Sequence, residues 1–109
     1  MKNKSQKTQY RQGDVLIERV ASIPKTTTPV PTENGRIILA HGEVTGHSHS
    51  LAECDGTLTQ ESGITYLEIK TALAKLTHQE HGTVEIPKGT YRVTRQREYS
   101  PEAIRNVVD

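Results

Sequence analysis

The sequence has no phenylalanine and no tryptophan, and tyrosine occurs only four times. Aromatic side chains normally supply the largest burial per residue, so an aromatic-rich core is excluded and Val, Ile, Leu and Ala must build it. The hydrophobic fraction of 32% is low for a soluble domain. A small aliphatic core is marginal by itself, so assembly as a homo-oligomer or a bound metal is expected to supplement it. Cysteine occurs once, as Cys54. That rules out an internal disulfide and fits a reducing, cytoplasmic compartment. No apolar run approaches a membrane span or a signal-peptide core, so no membrane partner is expected. An excess of one charge is lacking too: 14 Lys and Arg against 13 Asp and Glu leave +1. That weighs against a polyanion binder held by bulk electrostatics.

The length, 109 residues, suits one domain. Residues 1–9 are polar, with Lys2, Lys4 and Lys7 and no apolar periodicity; a disordered tail is expected there, and a single β domain over 10–109. "DVLIERV" (14–20) reads as the first strand. Residues 22–35 hold Pro24, Pro29 and Pro31 and end in Asn34-Gly35, which predicts a long surface loop closed by a turn. "RIILAH" (36–41) is a continuous apolar run, expected as a strand buried on both faces. "HSHSLAE" (47–53) alternates as a strand does, and Asp55-Gly56 predicts a hairpin turn into "TLTQ". "ITYLEIK" (64–70) alternates again, whereas "TALAKLTH" suits either a helix or a strand. "TVEI" is expected to end at a Pro-Lys-Gly turn, before the long β pattern of residues 90–99. Ser100-Pro101 resembles a helix start, so a short C-terminal helical turn should follow. Seven or eight short strands with closely spaced turn signals predict an all-β barrel or sandwich.

All five histidines sit in two groups: His41, His47 and His49, then His78 and His81. Alternate residues of a strand share a face, so His47 and His49 project together, about 6.5–7 Å apart at Cα. His78 and His81, three apart, can converge only where the chain turns. A small barrel would let the two groups face one pocket across the two or three strands between them. The four imidazoles His47, His49, His78 and His81 are therefore the candidate ligands of one divalent metal. Zinc comes first, and iron, manganese, nickel and copper suit the same donors. Glu53, four residues after His49, and Glu80 are the candidate catalytic carboxylates, as general base or as orienting partner of a ligand. Glu43 is a further candidate.

Two resemblances bear on this reading. "HSHSLAE" resembles the first motif of the cupin family, His-x-His followed by a Glu. "GTVEIPKGTYR" resembles the second, through Gly82, Pro87 and Gly89. The likeness implies a small barrel with His47, His49 and Glu53 as metal ligands. Arg92 stands where the second motif's metal-binding His would be. The stretches "RQGDVLI", "GEVTGHSH", "THQEHG" and "GTYRVTRQREYSPE" are together similar to a set of small uncharacterised bacterial and phage-borne proteins, a likeness that implies no activity.

The segment "YRVTRQREY" (91–99) places Arg95 and Arg97 between tyrosines on one face and Arg92 on the other. Two readings besides the metal site rest on it. In one, the strand and the Lys-rich tail contact nucleic acid or a protein partner, against the plainer view of a solvated edge strand. In the other, paired histidines carry out metal-free phosphate chemistry with Arg92 or Arg95 as the anion clamp. The leading expectation is a small metal-binding β-barrel, and with an open coordination position it could act as a small metalloenzyme on a small-molecule ligand.

Overall fold

A computed structural model describes residues 8–42 and 46–95. The described chain is almost entirely β. Its strands are β1 (Gln9–Gln12), β2 (Val15–Arg19), β3 (Thr28–Pro29), β4 (Arg36–His41), β5 (Ser48–Ala52), β6 (Gly56–Glu61), β7 (Ile64–Leu76) and β8 (Val84–Arg95). Six of them form one antiparallel sheet in the order β1-β2-β8-β7-β6-β3, and β4 and β5 form a separate two-stranded ribbon. The expected all-β class is therefore observed. The sheet is open, with β1 and β3 as its edges, and the ribbon packs on one face of it. Ile37 and Leu51 from the ribbon join Val15, Ile17, Leu67, Ile69, Ile86 and Tyr91 from the sheet in one buried cluster.

Local sequence explains most of the hairpins. Ser62 and Gly63, with φ of 52° and 80°, join β6 to β7. Asn34 and Gly35, at 51° and 78°, reverse the chain between Glu33 and Arg36. Left-handed φ at both central residues matches the twist of the flanking strands. Between β1 and β2 the turn is Gly13-Asp14, with left-handed φ of 60° only at the glycine. Pro29 lies on the edge strand β3, where the missing N–H costs no ladder bond.

Several expectations require correction. Thr8 and Gln9 are not tail: Gln9 opens β1, and the Thr8 carbonyl accepts a hydrogen bond from the Arg19 N–H at 2.8 Å. β4 is not buried on both faces, because only Ile37 is fully buried and the ribbon covers the core with one side. Asp55-Gly56 makes no hairpin. Residues Glu53–Asp55 form a 3-10 turn that carries the chain from the ribbon into the larger sheet. "TALAKL", open to either helix or strand by sequence, is strand, the second half of β7. The expected Pro-Lys-Gly turn is instead continuous strand within β8. Opposite it the pairing slips, from Ile69 against Gly89 to Leu73 against Pro87, so the ladder bulges without reversing. The proposed C-terminal helical turn, Arg97 and Glu43 lie outside the described residues.

Candidate metal site

Three hairpin ends meet at one edge of the molecule. The β1–β2 turn supplies Asp14. The β4–β5 connection supplies His47, with His49 just inside β5. The β7–β8 connection supplies His78, Glu80 and His81. Together with Arg95 they line a cleft of about 400 Å³.

The four imidazoles are packed against one another. Ring centroids are 4.3 Å apart for His49 and His78, 4.7 Å for His78 and His81, 5.6 Å for His47 and His78, and 5.8 Å for His49 and His81. Two glycines admit them. A Cβ on Gly13 would stand 2.7 Å from His81 Nε2, and one on Gly42 would stand 2.9 Å from His47 Cβ and 3.3 Å from His78 Nε2. Both positions must therefore stay free of a side chain for the rings to gather.

His49 is the buried member, with 2% of its surface exposed. Its Nδ1 lies 2.9 Å from Gln12 Oε1, and its Nε2 lies 3.6 Å from Asp14 Oδ1. Burial, reinforced by the neighbouring His78, pushes its pKa down to about 4 against the opposing pull of Asp14, so the ring is neutral at pH 7. Burial and the charges of His81 and His47 also lower His78, whose Nδ1 accepts a hydrogen bond from the Glu80 N–H at 3.0 Å. Burial alone would raise the Asp14 carboxyl. The hydrogen bond and charge of Arg95, whose Nε is 3.1 Å from Oδ2, outweigh that and hold it below the usual range. Asp14 is thus an anion beside the neutral His49 ring. At the rim, Glu80 Oε2 is 3.5 Å from His47 Nδ1.

All four histidines named from sequence share this cleft. Among the described residues, however, no three His, Cys, Asp or Glu side chains already stand at metal-ligand spacing. Glu80 is at the site and Glu53 is not: β5 ends at Ala52, and the 3-10 turn takes Glu53 to an exposed position, where its N–H bonds Gly35 O at 3.0 Å. The regular strand that would have carried Glu53 to the face of His49 is absent, and with it the cupin-type ligand set. His41 pairs with Glu33 at 3.5 Å, away from the cleft lining. Cys54 is exposed in the same 3-10 turn as Glu53. Arg92 is on the outer face, 2.7 Å from Glu18, and Arg95 is engaged by Asp14 and by His41 O at 2.6 Å.

Sequence reasoning missed Gln12 and Asp14. The available signal was the Gly13-Asp14 pair between "QYRQ" and "VLIER", a pattern that reads as a two-residue hairpin turn. Among the described residues no helix is long and apolar enough to cross a membrane. Comparison with curated proteins and with solved structures returned no match. One family model spans most of the chain, residues 11–96, including every side chain that lines the cleft; the chain belongs to that family, described as a domain of unknown function (DUF8820).

Proposed function

We propose that this protein binds a divalent metal ion in the cleft between its three hairpin ends. His47, His49, His78 and His81 are its nitrogen donors, and Asp14 replaces Glu53 as the carboxylate. The observation that carries this reading is the packing of four imidazoles beside an ionised carboxylate, over two glycines that leave room for the rings. Four neighbouring imidazoles cannot all take protons, because each charge opposes the next. A single cation shared by their lone pairs relieves that conflict. Nitrogen and carboxylate donors without thiolate suit zinc first, and iron(II), manganese, nickel or copper by the same chemistry. Loading requires small movements of the rim residues; His78 in particular must exchange its bond from the Glu80 N–H for the ion or bind through Nε2. A bound ion would supply Lewis-acid polarisation of water or of a ligand oxygen, and the exposed Glu80, 3.5 Å from His47 Nδ1, would take a proton there.

The arginine-based readings draw less support. Arg92 and Arg95 are each already held by a carboxylate, which reduces what they can offer a phosphate.

The test is elemental analysis of protein purified without a histidine tag, followed by titration of the metal-free protein with zinc, iron(II) and manganese. About one equivalent per chain with micromolar or tighter affinity is expected for at least one ion. Absence of metal as purified, together with no uptake of any of the three, would refute the reading.

A further inference from the structure

We propose that Gln12 is the positioning residue of this site: it locks His49 with its proton on Nδ1 and so aims the Nε2 lone pair into the cleft beside Asp14. This deepens the metal reading and rests on it for its functional meaning.

The argument begins with the two protons of the Gln12 amide. Gln12 is buried, 3% exposed, and points inward from β1. Its Nε2 donates to two backbone carbonyls, Leu76 O and Gly82 O, each at 2.9 Å. Both donors are thereby used. Turning the amide over would set its oxygen against two carbonyl oxygens and forfeit both bonds, and such a loss is costly in a buried place. Oε1 must therefore face His49 Nδ1, 2.9 Å away. An amide oxygen only accepts, so Nδ1 donates. In a neutral imidazole one nitrogen carries the proton and the other a lone pair, which leaves Nε2 bare. That nitrogen lies 3.6 Å from Asp14 Oδ1, while Oδ2 of the same carboxylate is held by Arg95. In the neutral ring a lone pair therefore faces an anionic oxygen, an arrangement that a cation placed between them would relieve.

The same amide does a second job. Leu76 and Gly82 are the two ends of the connection that carries His78 and His81. One side chain therefore pins that loop at both feet and fixes the tautomer of the ring the loop packs against. Outer-shell partners of this kind set ligand orientation and basicity at metal sites. Gln12 attracts no notice in sequence, because its three partners are 37, 64 and 70 residues away.

The experiment is a long-range proton–nitrogen correlation spectrum of the imidazole side chains in the metal-free, nitrogen-15-labelled protein at pH 7. The same spectrum is recorded for Gln12→Leu, and zinc affinity is measured for both. The expected result is the Nδ1–H pattern for His49 in the wild type, loss of that pure pattern in Gln12→Leu, and a fall in zinc affinity of about 10–100-fold. An Nε2–H pattern in the wild type overturns the proposal. So does a Gln12→Leu protein that keeps both tautomer and affinity. If Gln12→Leu does not fold, the wild-type pattern decides alone. An Nδ1–H pattern in a protein that takes up no metal would refute the metal reading and leave the tautomer lock standing. Zinc bound through His49 Nδ1 would do the reverse.

Discussion

Ser50 and Thr77 exchange both backbone hydrogen bonds, N–H to O at 3.1 Å one way and 2.9 Å the other. This pair stitches the β4–β5 ribbon to the end of β7. It also explains how two histidine groups separated by about thirty residues share a cleft: each half of the pair has a site histidine as its immediate neighbour, His49 before Ser50 and His78 after Thr77. Arg36 reinforces the joint from the ribbon, donating to Ser50 Oγ and Ser50 O, both at 3.2 Å, and to Thr77 Oγ1 at 3.0 Å.

Replacing Arg36 with Met should loosen that joint. It removes a charged donor from three acceptors in a partly buried place, for a cost of about 1–3 kcal/mol. Chemical denaturation should show the loss, and amide exchange should show Ser50 and Thr77 opening faster than the β2–β8 ladder. Unchanged exchange at both residues would mean that the backbone pair stands without Arg36.

His47 and His49 should behave differently when truncated. His47→Ala is expected to lower metal affinity with little loss of stability, since the ring stands at the rim. His49→Ala should lower affinity and also destabilise by about 1–3 kcal/mol, because the buried Gln12 oxygen loses its donor. Both should keep a β-type circular dichroism spectrum. Full metal retention in both variants would remove these residues from the site.

The two glycines give a sharper test of geometry. Gly13→Ala meets two obstacles: a left-handed φ of 60° and a contact of 2.7 Å with His81 Nε2. A loss of about 1–2 kcal/mol from the backbone alone is expected. Gly42→Ala should displace His47 and His78 instead. Metal affinity should fall in both variants, and crystal structures or imidazole chemical shifts should place the change at His81 in the first and at His47 and His78 in the second. Normal affinity in both would show that the rings need not gather as they do here.

Stability should fall in acid, in a defined window. His49 takes a proton near pH 6.5 when unfolded and near 4 when folded. Between those values the unfolded chain holds more protons, so stability rises with pH across the window. It is fully present above about pH 6.5 and is lost progressively down to about pH 4. The shift corresponds to as much as about 3 kcal/mol, and His78 is displaced in the same direction. Denaturation midpoints of the metal-free protein between pH 4 and 7 should show this slope, and His49→Gln should flatten it. A pH-independent midpoint in the wild type would contradict the burial of a neutral His49.

The β class, most strand positions and the turn at Asn34-Gly35 were legible in the sequence, because side-chain alternation and left-handed turn residues act over a few neighbours. The histidine groups were legible for the same reason, as a local concentration of one residue type. Glu53 was misplaced because alternation says nothing of where a strand ends, and β5 ends at Ala52 to let the chain change sheets. The Pro87-Lys88-Gly89 stretch was misread because a turn signal and a bulge signal use the same residues, and only the partner strand β7 decides between them. Asp14 and Gln12 acquire their roles solely from contacts with distant elements. The chain itself determined which groups could donate lone pairs. The pairing of Ser50 with Thr77 and the three anchors of the Gln12 amide, formed only when sheet and ribbon pack, decided which of them meet.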